Sequence, residues 1–142
     1  MLYFKKNLVS TAYRSNKQGY RTIGGKTYYF KSLWEIQYAQ TLEWLKKAKN
    51  IKDWEYEPLT FSFPKEKYKA SPFYYKPDFK VIENNNTHTW HEVKGYMNAS
   101  SKAKIKRFKK HYPEEKLIII DSKWFRANRK KNLHKIIGWE SL

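Results

Sequence analysis

Cysteine is absent from this 142-residue sequence, which excludes disulfide frameworks and thiolate metal sites. The four histidines, His88, His91, His111 and His134, are too scattered to form a convincing zinc site. No apolar run approaches the roughly 20 residues needed to cross a bilayer. The opening Met-Leu-Tyr-Phe-Lys-Lys also lacks a charged head followed by an apolar stretch. These absences predict a soluble protein of a reducing cytoplasm with no membrane partner. Acid is scarce as well: 13 Asp and Glu stand against 30 Lys and Arg, for a net charge of +17.

What the chain has in plenty is aromatic. Its 6 Trp, 12 Tyr and 8 Phe, in a composition 40% hydrophobic, exclude a disordered basic tail and predict one folded domain with a modest core. So large a positive excess on a small domain repels itself, which points to a polyanionic partner, nucleic acid ahead of a lipid surface.

Residues 1–19 are basic and aperiodic and read as an N-terminal arm. Gly24-Gly25 between β-prone flanks predicts a hairpin over Arg21 to Phe30, because both glycines tolerate positive φ. Ser32 to about Lys49 is the best helix, with Trp34, Tyr38, Ala39, Leu42 and Leu45 on one side and Glu35 inside that apolar sector. Trp54 to Phe63 reads as a strand with Pro58 at a bulge or edge, Phe73 to Ile82 as a second, and His88 to Val93 as a third beyond an Asn-rich turn. Ser101 is placed to cap a helix over 102–112, with Ile105, Phe108 and Tyr112 facing inward. Leu117 to Ile120 has the continuous apolar character of a buried strand, which, reached through a helix, is expected to lie parallel within the sheet, and a last basic helix follows over about 123–136. The fold class expected is α/β (α+β), a single-domain mixed sheet flanked by helices.

In a chain this short of acid, a carboxylate in an apolar sector or beside a strand needs a reason. The period of two along His91-Glu92-Val93-Lys94 puts Glu92 and Lys94 on one face. Asp78, after Pro77, lies on the hairpin neighbour of that strand and can approach Glu92 across the sheet. Two carboxylates and a lysine then share a pocket. Phosphodiester hydrolysis needs such a set, because the attacking water must lose a proton while phosphorus gathers negative charge. Mg²⁺, with Mn²⁺ as a possible substitute, prefers oxygen ligands, which Asp78, Glu92 and the Val93 carbonyl would supply. Lys94 would orient the water or neutralise the transition state. Glu35 would add a ligand.

Plainer roles stand beside these. Acid-x-Lys occurs four times, at Asp78/Lys80, Glu92/Lys94, Glu114/Lys116 and Asp121/Lys123, so the triplet alone is uninformative. Ser32-Leu-Trp-Glu35 is also a capping box. Glu92 and Lys94 also fit an ordinary ion pair, and Gly95 fits either a close approach of phosphate or a simple strand end. His88 and His91 are read as strand-surface groups. Tyr28, Tyr29, Tyr74, Tyr75 and Trp90 suit either a core or base stacking.

Residues 99–135 hold 13 Lys and Arg against 3 acids, which makes them the expected phosphate-binding region. The DNA-binding candidates are Lys102, Lys106, Arg107, Lys110, Arg126, Arg129 and Lys130.

Through Pro77-Asp78 and Glu92-Val93-Lys94 the chain resembles the PD-(D/E)XK nuclease superfamily. Longer spans bring it nearer to small phage proteins of the endonuclease I, Holliday-junction-resolvase-like type: Phe30-Lys-Ser-Leu-Trp-Glu35-Ile-Gln-Tyr-Ala, Ile51-Lys-Asp-Trp-Glu-Tyr-Glu-Pro, Tyr75-Lys-Pro-Asp-Phe79, His91-Glu-Val-Lys-Gly95 and Lys116-Leu-Ile-Ile-Ile-Asp121. The resemblance implies a restriction-endonuclease-like core over 20–142, with Asp78, Glu92 and Glu35 at Mg²⁺ and Lys94 assisting water. It also implies a phage-encoded enzyme acting on branched DNA in the bacterial host cytoplasm and, for junction resolvases, a homodimer. The expected function is a Mg²⁺-dependent, structure-selective endonuclease. The alternatives are a sequence-specific or transposase-associated nuclease of the same superfamily and a non-catalytic nucleic-acid-binding protein.

Overall fold

The computed structural model describes residues 17–141, so most of the expected N-terminal arm lies outside the described residues. The last residues assigned to that arm belong to the fold. Lys17 pairs with Glu140 at 3.2 Å, and strand β1 (Gly19–Ile23) starts at once. It pairs antiparallel with β2 (Lys26–Phe30) as the double glycine requires, with Gly24 at φ 65° and Gly25 at 82°.

Helix α1 (Leu33–Lys47) begins where Ser32 Oγ accepts the Glu35 amide at 3.1 Å. It buries Leu33, Ile36, Tyr38, Ala39 and Leu42. Two expected strands are each divided. Trp54 to Phe63 forms β3 (Asp53–Tyr56) and β4 (Phe61–Ser62), which lie in different sheets. Glu57 takes φ 46° and Pro58 offers no amide, so the ladder stops there. Phe73 to Ile82 likewise forms β5 (Tyr74–Tyr75) and β6 (Phe79–Ile82), broken at Pro77. β4 and β5 pair with each other as a small ribbon.

The main sheet has the order β3, β6, β7 (His88–Val93), β8 (Leu117–Ile120). The first three form the expected antiparallel meander; β8 lies parallel to β7 after the crossover helix α2 (Ala99–His111). Among the described residues β8 is an edge strand rather than a buried one, with Ile118 43% exposed. α2 starts earlier than Ser101 would allow: Asn98 is the cap, and its side chain accepts the Ser101 amide at 2.8 Å. The last helix is two helices, α3 (Ser122–Lys130) and α4 (Leu133–Ile137), because Asn132 adopts the left-handed conformation at φ 62° between them. Among the described residues no helix is long and apolar enough to cross a membrane.

Alternation along β7 divides the interior. Val93 joins Phe79, Val81, Ile36, Leu42 and Phe125 in a core under α1 and α3. Trp90 joins Phe61, Phe63, Tyr75 and Phe108 in a second core under α2. The result is a mixed α/β fold, a sheet flanked by helices on both faces, as the sequence predicts.

Candidate active site

β6 begins and β7 ends at the same end of the sheet, and the N-terminus of α1 arrives there from one face. Glu35, Asp78, Glu92, Val93 and Lys94, every residue singled out for the metal and the chemistry, line one cavity of about 250 Å³ at this place. The carboxylates are buried in spite of their charge: Glu35 is 7%, Asp78 4% and Glu92 8% exposed.

Each is held by a specific donor. The Val93 amide donates to Asp78 Oδ2 at 2.9 Å, and the Asp78 amide donates to Glu92 Oε1 at 3.3 Å. The Tyr75 hydroxyl donates to the same Glu92 oxygen at 2.8 Å. Glu35 Oε1 accepts from the Tyr56 hydroxyl at 2.5 Å, while Ser32 Oγ reaches its other oxygen at 3.2 Å. Only half of a capping box is therefore formed: Ser32 takes the Glu35 amide, and the Glu35 carboxylate turns into the cavity.

Burial raises the pKa of all three acids. For Asp78, pushed well above the ordinary value, burial is followed by the charges of Glu92 and Glu35, against which the Val93 amide and Lys31 act. For Glu92 burial is opposed by Tyr75, Lys94 and the Asp78 amide, and for Glu35 by Tyr56 and Lys31. Tyr56 and Tyr75 are themselves raised, by burial first and then by the carboxylates they serve, so both remain neutral donors.

Among the described residues no three His, Cys, Asp or Glu side chains are gathered tightly enough to form a ready metal cage. The donor chemistry nevertheless fits a hard divalent cation. The hydrogen bonds occupy Asp78 Oδ2 and Glu92 Oε1 and leave Oδ1 and Oε2, and a cation would relieve the mutual repulsion of the acids.

Sequence reasoning missed the cationic wall. Lys31, Lys76 and Lys104 line the same cavity. Lys31 immediately precedes the cap of the helix that carries Glu35, a proximity readable in advance; its Nζ lies 2.5 Å from Glu57, and Lys76 is 3.8 Å from the same carboxylate. Burial lowers the Lys31 pKa, but Glu57, Glu35 and Asp78 outweigh it and raise the net value. Gly95 does allow a close approach, and its partner is an indole: a Cβ there would lie 2.9 Å from Trp34 Cζ3.

The basic candidates fall into two groups on opposite faces of the sheet. Lys102, Lys106 and Lys110 are exposed on α2, and Arg126, Arg129 and Lys130 on α3. Arg107 is the exception. Its guanidinium donates to the carbonyls of Ala70 and Pro72 and lies 3.8 Å over the Tyr68 ring, so it pins a loop while bordering the same surface as Lys106 and Lys110. Tyr75 and Trp90 are core residues, whereas Tyr29 and Tyr74 are exposed. His88 contacts Glu115 at 2.7 Å, and His91, lowered to about 4 by burial, bonds the Tyr38 hydroxyl, so neither faces the cavity.

No curated protein and no solved structure matches the chain. A family model does match, over residues 12–127, a span that takes in every cavity residue named above. The chain belongs to the DUF1064 family, described as proteins of unknown function.

Proposed function

We propose that the protein is a metal-dependent endonuclease that hydrolyses phosphodiester bonds in branched DNA. One observation carries the reading: in a chain of net charge +17, three scarce acids from three different elements are buried around one cavity beside Lys94 and Lys31. A fold has no structural use for such an arrangement, since buried like charges cost stability.

Asp78, Glu92 and the Val93 carbonyl would hold Mg²⁺, or Mn²⁺ in its place, with Glu35 as a further ligand. The ion, when bound, supplies charge neutralisation at the phosphate and acidifies the attacking water. Lys94, on the wall of the cavity, would orient the attacking water, whose oxygen bonds to phosphorus as the bond to the leaving oxygen breaks, its proton passing through solvent to that leaving oxygen. Lys31, steadied by Glu57, offsets charge that develops on the phosphate. Tyr75 and Tyr56 hold the carboxylates in place. The lysines of α2, next to Lys104 in the cavity wall, grip backbone phosphates and read shape rather than base sequence. Action on branched DNA, a phage origin and a homodimer are supported by the resemblance of the motif spans.

The deciding experiment is cleavage of a four-way junction beside a linear duplex of matched sequence, in Mg²⁺, Mn²⁺ and EDTA, with Glu92→Gln as control. The expected result is metal-dependent cutting of the junction that the variant lacks. Binding without cleavage under every metal would overturn the reading in favour of a non-catalytic nucleic-acid-binding protein.

A further inference from the structure

Beside the carboxylate cavity lies a larger one. Lys31, Glu35, Val93 and Lys94 line both, so these four residues are the partition between a carboxylate lobe and a second lobe. The second lobe measures about 550 Å³, within the range of about 300–1,000 Å³ common for small-ligand sites. Its remaining wall is Ser32, Trp34, Gly95 and Tyr96. Apart from Glu35 at the partition it has no acid.

Its aromatic parts differ in character. Trp34 is fixed: it stacks on Phe125 with centroids 4.6 Å apart and planes at 20°, and Gly95 presses on its six-membered ring. Tyr96 is the opposite, 79% exposed at the rim. A single exposed aromatic is ordinary on a surface. One beside a fixed indole, across a glycine, with two lysines between it and a candidate phosphate-cleaving centre, fits a ligand with a flat apolar face and an anionic group attached.

We propose that this lobe receives one unpaired nucleotide next to the phosphate at the carboxylate centre, the base against Trp34 and Tyr96 and the adjoining phosphate at Lys31 and Lys94. This inference deepens the functional reading above and rests on its nucleic-acid part. It also names what in branched DNA is recognised. A base in an intact duplex is stacked on both sides and must be extracted, whereas a nucleotide already unpaired at a branch, bulge or flap enters without that cost.

The test is equilibrium binding in EDTA, where nothing is cut. Three duplexes serve as probes: fully matched, with a one-nucleotide bulge, and with the same bulge made abasic. The wild-type protein is expected to prefer the base-bearing bulge over the abasic one by roughly 5- to 150-fold, the range that base–aromatic stacking supplies. Tyr96→Ala, at an exposed position that leaves folding intact, is expected to abolish that preference and leave the matched duplex bound as before. Equal wild-type affinity for the two bulges, or a Tyr96→Ala loss shared by all three probes, overturns the proposal. Failure here and failure of the nuclease reading are distinct: base preference without cleavage removes the enzyme and keeps the lobe, and cleavage without base preference does the reverse.

Discussion

Asp78 and Glu92 are clasped through each other's strands: the amide of Asp78 donates to the Glu92 carboxylate, while the amide after Glu92 donates to the carboxylate of Asp78. This fixes two mutually repelling acids side by side where β6 begins and β7 ends. The cost is stability, and it gives the first prediction.

Asp78→Asn keeps an oxygen for the Val93 amide and removes the charge. The native carboxyl titrates above its unfolded counterpart, so the folded state holds the extra proton and stability falls as pH rises through that interval. In EDTA at neutral pH the variant should therefore be more stable, by about 1–3 kcal/mol, while cleavage is lost. Thermal melts across pH should show the gain shrinking toward pH 4. Destabilisation at every pH would refute this account.

Tyr75→Phe removes a hydroxyl from Glu92 and leaves the packing against Phe108 in place. With that donor gone the Glu92 pKa rises further, so the acidic limb of the cleavage profile should move to higher pH. A uniform fall in rate with an unmoved profile would mean that Tyr75 serves only the core.

Glu140→Gln tests the far side of the fold. Arg21 above all, and Lys17, hold the Glu140 carboxyl below its usual range. A depressed folded pKa contributes stability above the unfolded value and loses it as pH falls through the folded one. The variant should loosen the β1–β2 hairpin by a few tenths of a kcal/mol near pH 7, because the pair lies at the surface and is screened, and match wild type once pH has fallen below the depressed folded value. Hydrogen exchange of the β1 amides would measure it.

The two basic groups should be unequal on a linear duplex. Lys106→Ala with Lys110→Ala, on the helix that reaches the cavity, should reduce the slope of log affinity against log salt by about 2. Arg126→Ala with Arg129→Ala, across the sheet, should leave it nearly unchanged. Titration at several salt concentrations decides between this and a duplex that touches both faces.

The sequence made the site more legible than the strands that carry it. Scarcity of acid made Glu35, Asp78 and Glu92 conspicuous, and their convergence follows from a hairpin and a helix that local patterns specify. Strand ends were harder to place, because Glu57 and Pro58, or Pro77, interrupt a ladder inside runs whose alternation continues. The apolar Leu117–Ile120 run resembles a central strand, yet nothing in it records that among the described residues no further strand pairs outside it. Arg107 reads as one more phosphate ligand, since carbonyls 35 and 37 residues away leave no mark on local sequence. Lys31 lies just outside the helical period, so only its position before the Ser32 cap, not the apolar pattern, marks it.

The clasp between Arg21 and Glu140 joins residues 119 positions apart. The hairpin also packs on the core through Phe30 and on Trp54 and Tyr56 through Tyr28, contacts made with residues that precede 60, whereas this clasp forms only once residue 140 has been made. The same short segment is fastened to α1, through Trp139 on Thr41 and Glu140 on Gln40, so it ties hairpin and helix to one another from outside both.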